Sequence, residues 1–142
     1  VAIYLASDDE ISQNLLLSSN DLRLKNKQFY VPIVQKNKSR HLHFTKINKH
    51  TPLKRNLYGI FEPKQVKPIQ NWSLDLVLMP LVAFTKEGLR LGMGGGFYDT
   101  TFAKNKKNIK QPKLIGIAHS LQCVDFLPNE PWDLPIKKVI DV

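Results

Sequence analysis

The chain has 142 residues and a formal net charge of +9 at pH 7, a size at which one domain can bury a core without metals or disulfides. Its single cysteine, Cys123, excludes an internal disulfide, and no apolar run has the length of a membrane span or the layout of a signal peptide. These features predict one domain, residues 1–142, in a reducing, cytoplasmic setting without a membrane partner.

The positive charge raises the question of nucleic acid as a partner. Lys and Arg outnumber Asp and Glu by 21 to 12, which would favour binding to phosphates. The lysines are scattered, however, or fall in one short run over residues 104–110, without the interleaved aromatics typical of RNA-binding surfaces. We therefore expect no nucleic acid and an anionic small molecule instead, with a nucleic-acid-binding module as the alternative.

Apolar runs predict several strands and two helices. The strands are expected at residues 1–6, 28–34, 41–47, 75–80, 113–119 and 137–142. One helix is predicted from a cap at residues 7–10 to about Leu24, and a shorter helix over residues 97–104. Strands that alternate with helices, with one hairpin inserted, predict an α/β fold: a three-layer α/β/α domain with a mixed, mostly parallel sheet.

A glycine-rich segment lies directly before the second predicted helix. Four of the seven glycines fall within residues 92–96, and glycine lets a ligand approach backbone N–H groups closely. Arg90 before the segment offers a fork of donors for a phosphoryl oxygen, and Asp99 after it is a hard oxygen ligand of the kind that Mg²⁺ takes. The pattern favours a phosphate site over a glycine-rich turn that binds nothing.

Two common nucleotide-binding signatures are excluded here. The dinucleotide pattern G-x-G-x-x-G would need glycine where Phe97 stands, and the Gly-Lys-Ser/Thr of the Walker loop is missing. The run Arg-Leu-Gly-Met-Gly-Gly-Gly-Phe-Tyr-Asp instead closely resembles the signature of the 5-formyltetrahydrofolate cyclo-ligases, also called methenyltetrahydrofolate synthetases. Further matches follow in the expected order at residues 4–11, 58–63, 75–80, 116–119 and 127–133.

The resemblance implies an ATP- and Mg²⁺-dependent ligase that converts 5-formyltetrahydrofolate into 5,10-methenyltetrahydrofolate with release of ADP and phosphate. It places Arg90 and Tyr98 in catalysis and Leu5, Glu10 and Tyr58 at the folate. Glu10 could instead stabilise a helix N-terminus, and Tyr58 could belong to a packed turn. ATP is expected on Arg90, Leu91, Gly92, Met93, Gly94, Gly95, Gly96, Phe97 and Tyr98.

The metal is expected on two carboxylates. In the resembled family an acid after a proline-set loop joins the glycine-loop aspartate at Mg²⁺, which assigns the ion to Asp99 and Asp133. Asp133 could instead cap a turn.

The family also carries an N-terminal helical segment with basic residues that reach ATP, and the sequence shows no counterpart before Val1. A monomer is expected, and a relative that binds folate or nucleotide without turnover is the second alternative.

Overall fold

The computed structural model describes residues 1–7, 9–35, 39–103 and 110–142. Its strands are β1 (Phe29–Val34), β2 (Leu42–Ile47), β3 (Leu53–Arg55), β4 (Phe61–Pro63), β5 (Pro68–Ile69), β6 (Leu76–Pro80), β7 (Ala83–Phe84), β8 (Arg90–Leu91), β9 (Lys113–Ala118) and β10 (Lys138–Asp141). Its α-helices are α1 (Asn14–Ser18) and α2 (Phe97–Phe102), and single 3-10 turns lie at Asn71–Ser73 and Ser120–Gln122. None of these helices is long and apolar enough to cross a membrane.

Two three-stranded sheets form the centre of the domain, β10-β9-β6 with parallel pairing and β1-β2-β5 with antiparallel pairing. The first residues of the chain join them, because Ala2 pairs in parallel with Val77 of β6 on one side and with Tyr30 of β1 on the other. The Leu78 N–H donates to the Ala2 carbonyl at 2.9 Å. The prediction of a mixed sheet with a parallel part is therefore confirmed, and residues 1–3 lie between its parallel and antiparallel strands.

Apolar side chains cover both faces of this sheet. Successive residues of a strand point to opposite faces, and Ala2 and Ile3 accordingly belong to different buried clusters. Phe102 of α2 packs in the cluster of Ala2, whereas Leu16 and Leu17 of α1 pack against the cluster of Ile3. On one face of β6, Val77 and Met79 are fully buried in the cluster of Ala2, and on the other face Leu78 is partly buried against the cluster of Ile3, so both sides of β6 are covered.

The predicted helix from the cap at residues 7–10 to Leu24 is wrong. The Glu10 N–H donates to the Ser7 carbonyl at 3.1 Å in a turn, and the helix itself runs only over Asn14–Ser18. Beyond it, the Asp21 carboxylate accepts from the Arg23 N–H at 2.9 Å, a local bond that competes with helical pairing. Short polar side chains overrode the helical spacing of the leucines.

The helical layers are also thinner than the sequence predicts. Helix α2 ends at Phe102. Of the two remaining residues of the predicted helix, Ala103 lies beyond the end of α2 and Lys104 lies outside the described residues, as does most of the lysine-rich run. Helices of five and six residues cover little of a seven-segment sheet. The α/β class with a partly parallel sheet is confirmed, and the three-layer arrangement stays a prediction.

Candidate functional site

An open cleft of about 1130 Å³ lies at the ends of the central strands, between the glycine-rich segment and the β3–β4 hairpin. Every site residue predicted from the sequence lines this cleft: Leu5, Glu10, Tyr58, Arg90, Leu91, Gly92, Met93, Gly94, Gly95, Gly96, Phe97, Tyr98, Asp99 and Asp133. These residues come from four separate stretches of the chain. The fold brings them to one surface, which is the geometric requirement for a shared site.

The glycine loop, residues 92–96, connects β8 directly to α2. Gly94 and Gly96 have φ values of 84° and 62°, which side chains other than glycine rarely adopt. The N–H groups of residues 92–96 donate no hydrogen bond to any other described residue. A row of backbone donors without protein partners at the edge of a cleft is suited to phosphoryl oxygens.

Gly95 is required for a packing reason. A Cβ atom built there would lie 2.6 Å from two carbon atoms of the Phe97 ring, closer than real contacts allow. At Gly94, by contrast, nothing lies within 4 Å of an added Cβ. Gly95 therefore lets the Phe97 ring fold back on the loop, while Gly94 faces open space.

Arg90 and Asp99 form an ion pair with each other across the glycine loop. The Arg90 side chain is only 5% exposed, and its Nη2 donates to Asp99 Oδ1. The same Asp99 oxygen accepts from the Leu134 N–H at 3.0 Å. Two residues predicted to bind ligand are thus also a structural clamp that holds β8, α2 and the loop before β10 together.

Asp133 closes a turn, which is the alternative role proposed for it, and this does not exclude a metal role. Its Oδ2 accepts from the Glu130 N–H at 2.9 Å, and its own N–H donates to the Glu130 carbonyl at 3.0 Å. Its neighbour Leu134 is bonded to Asp99, so the two carboxylates line the same part of the cleft. Asp99 Oδ2 and Asp133 Oδ1 have no hydrogen-bond partner among the described residues.

The two carboxylates fit a magnesium ion that the protein holds only in part. The described residues contain no group of three or more His, Cys, Asp or Glu side chains that could enclose a metal. Mg²⁺ in phosphoryl-transfer sites is commonly held by one or two carboxylates together with substrate phosphates and water. Asp99 and Asp133 meet that requirement, since both line the cleft and each has one carboxylate oxygen that bonds to no other part of the described chain.

Tyr4 and Tyr98 both lie near the Glu10 carboxylate in the cleft. The Tyr4 hydroxyl donates to the Ile11 carbonyl at 3.0 Å. Burial, and after it the Glu10 carboxylate, raises the pKa of Tyr4 to about 12. The same two causes, in the same order, raise the pKa of Tyr98. Both phenols therefore stay protonated at neutral pH, and Tyr98 can act as a hydrogen-bond donor but not as a base.

The predicted folate residues differ in how firmly they are held. The Glu10 carboxylate accepts from the Ser7 N–H at 2.8 Å and is half-buried, without the helix it was expected to cap. Tyr58 lies in the turn between β3 and β4 and is 70% exposed. Glu10 is thus fixed in place, whereas Tyr58 has an open ring face toward the cleft.

Sequence reasoning missed some cleft residues, chiefly Arg40 and Trp132. Arg40 precedes β2 and reaches the glycine loop only through the tertiary fold, so no local pattern pointed to it. Trp132 is 69% exposed beside Asp133. A large aromatic between prolines, next to a predicted metal ligand, was a signal that could have identified it.

Together these features define a class of protein: an α/β domain in which a glycine loop, an arginine held by an ion pair and two carboxylates share one cleft. The comparisons with known proteins make the class specific. The sequence model of the 5-formyltetrahydrofolate cyclo-ligase family matches residues 1–142. A 5-formyltetrahydrofolate cyclo-ligase of Haemophilus influenzae is 40% identical over 146 residues, covering 99% of this chain and 74% of the relative. The Escherichia coli K12 enzyme of the same name is 37% identical over 144 residues, with 99% and 76% coverage.

Solved structures agree with this result. The 5,10-methenyltetrahydrofolate synthetase of Aquifex aeolicus superposes with a TM-score of 0.75 at 26% identity, covering 99% of this chain and 66% of that one. The Mycoplasma pneumoniae synthetase gives 0.68 at 26% identity, with 98% and 70% coverage. The chain thus spans about two thirds of the length of these solved relatives.

The chain belongs to the 5-formyltetrahydrofolate cyclo-ligase family. Membership confirms the resemblance read from the glycine loop and the predicted class of enzyme, a ligase of folate one-carbon chemistry.

Proposed function

We propose that this chain converts 5-formyltetrahydrofolate into 5,10-methenyltetrahydrofolate at the expense of ATP, which yields ADP and phosphate. The observation that carries the proposal is the meeting of all the predicted site residues on one cleft of about 1130 Å³ in a chain of this family. A cleft of that volume has room for two substrates side by side.

The chemistry explains why ATP is needed. A formamide oxygen is a poor leaving group, so the formyl oxygen attacks the γ-phosphorus of ATP and ADP leaves. N10 of the folate then attacks the activated formyl carbon and gives up its proton, and the carbon–oxygen bond breaks with release of phosphate. No protein nucleophile is required, and the protein acts by positioning and by stabilising charge.

The glycine loop and Arg90 are assigned to the phosphates. The N–H groups of residues 92–96 have no hydrogen-bond acceptor among the described residues, and the Arg90 guanidinium is held at the loop by Asp99. A guanidinium whose position is fixed before the substrate arrives loses little freedom on binding. Phe97 and Tyr98, at the start of α2, form the wall where the formyl oxygen would meet the γ-phosphate, and the protonated Tyr98 hydroxyl is available to hydrogen-bond that region.

Magnesium, when bound, would neutralise part of the phosphate charge. Asp99 Oδ2 and Asp133 Oδ1 would hold it, because these oxygens have no partner among the described residues. Asp99 would then serve the metal through one oxygen while its other oxygen keeps Arg90 and the Leu134 backbone in place.

Glu10, Leu5 and Tyr58 are assigned to the folate. The fixed Glu10 carboxylate can accept hydrogen bonds from the amino and ring N–H groups of a pterin. Leu5 offers an apolar contact beside it, and the exposed Tyr58 ring can stack on the flat ring system.

Cytoplasmic location and a monomeric state remain predictions.

The decisive experiment mixes the protein with ATP, Mg²⁺ and 5-formyltetrahydrofolate and follows the methenyl chromophore. Turnover should require all three components, and replacing ATP with ADP should abolish it. Isothermal titration with each substrate separates the alternatives. A chain that binds both substrates without forming the chromophore would be a non-catalytic relative, and a chain that binds neither would overturn the proposal.

A further inference from the structure

Arg40 is an unexplained cation on the wall of the cleft. It lies just before β2, its side chain is exposed, and it lines the same cavity as the glycine loop. A Cβ atom built on Gly96 would be 3.8 Å from Arg40 Nη1, which places the guanidinium beside the last glycine of the loop. Among the described residues, its side chain has no ion-pair or hydrogen-bond partner.

The other arginines of the cleft are already engaged. Arg90 is paired with Asp99, so this pair carries no net charge. Arg55 Nη1 donates to the Gly59 carbonyl at 2.8 Å, and its guanidinium lies 4.5 Å from the centre of the Phe61 ring. Of the three, only Arg40 presents five donors and a full positive charge that nothing in the described chain neutralises.

We propose that Arg40 is a specificity-determining residue that contacts the triphosphate of ATP on the Gly96 side of the glycine loop. The inference rests on the proposed function, because it assumes that the loop holds a nucleotide. A polyanion bound there would gain from Arg40 a charge-assisted hydrogen bond that the Arg90–Asp99 pair cannot supply in full. The folate carboxylates are the competing anion, and the position of Arg40 beside Gly96 favours the phosphates.

The test compares Arg40→Gln with Arg40→Lys and with Arg23→Gln. Arg23 is an exposed arginine paired with Asp21, and it does not line the cleft, so its replacement removes the same charge elsewhere. Arg40→Gln should raise the KM for ATP about ten- to a hundredfold, the usual cost of one charge-assisted contact. Arg40→Lys should recover part of the loss, and the KM for 5-formyltetrahydrofolate should change less than twofold in both variants.

The salt dependence of ATP affinity gives a second readout, which would not differ between the variants if Arg40 had only a structural role. The affinity of the wild type for ATP should fall with ionic strength more steeply than that of Arg40→Gln, while the melting temperatures stay equal. An ATP KM within twofold of wild type, or a rise confined to the folate KM, would overturn the inference even though the enzyme turns over. A wild-type chain that neither binds ATP nor turns over would overturn the proposed function and the inference together.

Discussion

The two ends of the cleft are built differently. The loop end, residues 90–99, is organised around a buried ion pair, with the Arg90 side chain 5% exposed. The hairpin end, residues 53–63, consists of two three-residue strands and presents Tyr58 at 70% exposure. The end assigned to phosphoryl transfer is thus fixed before ligand arrives, whereas the end assigned to a flat aromatic ring can adjust, as expected where charge positioning matters more than shape.

The largest effect should come from breaking the ion pair at the loop end. Arg90→Met leaves the Asp99 carboxylate partly buried without its partner, which should cost about 3 kcal/mol of unfolding free energy in urea and abolish turnover. The double variant Arg90→Met/Asp99→Asn removes both charges and keeps the acceptor for the Leu134 N–H, so it should recover most of the stability but none of the activity. Recovery of activity in the double variant would show that the pair only supports the fold.

The metal assignment predicts a large loss of rate with little change in folate affinity. Asp99→Asn keeps the acceptor for Leu134 but removes the charge, and turnover should fall on the order of 100-fold. Asp133→Asn preserves the turn with Glu130 and is the matched variant, which should raise the Mg²⁺ concentration needed for half-maximal rate without loss of stability. A normal Mg²⁺ requirement in Asp133→Asn would remove that residue from the metal site.

One glycine substitution at each end of the cleft compares the two ends directly. Gly94 and Gly59 have φ values of 84° and 73°, and nothing lies within 4 Å of an added Cβ at either. Alanine should therefore cost each about 1 kcal/mol of stability through backbone strain. Only Gly94→Ala should also weaken ATP binding, by about tenfold in calorimetry, because its methyl group enters the loop cavity. Equal ATP affinity in both variants would argue against a phosphate site at the loop.

The smallest effect is expected at the hairpin end. Tyr58→Ala should weaken folate binding about fivefold, the value of roughly 1 kcal/mol of aromatic contact, and leave the melting temperature unchanged. Leu57 is the control, since it is 90% exposed in the same turn but does not line the cleft. If Leu57→Ala and Tyr58→Ala have the same effect, then hairpin conformation, not ring stacking, explains the loss.

The parts of the structure that the sequence predicts are those encoded by contiguous residues. Strand β6 follows from an apolar run, and the β1–β2 hairpin from two β-rich segments around a polar turn. The predicted helix after residue 7 was wrong because apolar spacing gives no information on side chains such as that of Asp21, which accepts from the nearby Arg23 N–H. Residue type identified Arg90 and Asp99 as site residues but could not reveal their pairing.

Arg40 shows a second reason why a site residue cannot be predicted from the sequence. It is a single arginine beside residues 36–38, without a glycine, proline or aromatic neighbour to mark it, and it meets Gly96 only because β2 lies beside α2. Contacts between residues so far apart in the chain depend on the whole topology. Such residues become visible only when the sheet order is known.

The position of residues 1–3 between β6 and β1 sets the order in which the domain can assemble. The β1–β2 hairpin closes a short loop and can form early, but Ala2 must pair with Val77, more than half the chain away. Such non-local pairing slows the search for the native state, since loop closure precedes the stabilising contacts. The parallel half of the sheet should therefore be the last part to gain amide-exchange protection during refolding, with the Leu78 N–H, bonded to Ala2, among its slowest reporters.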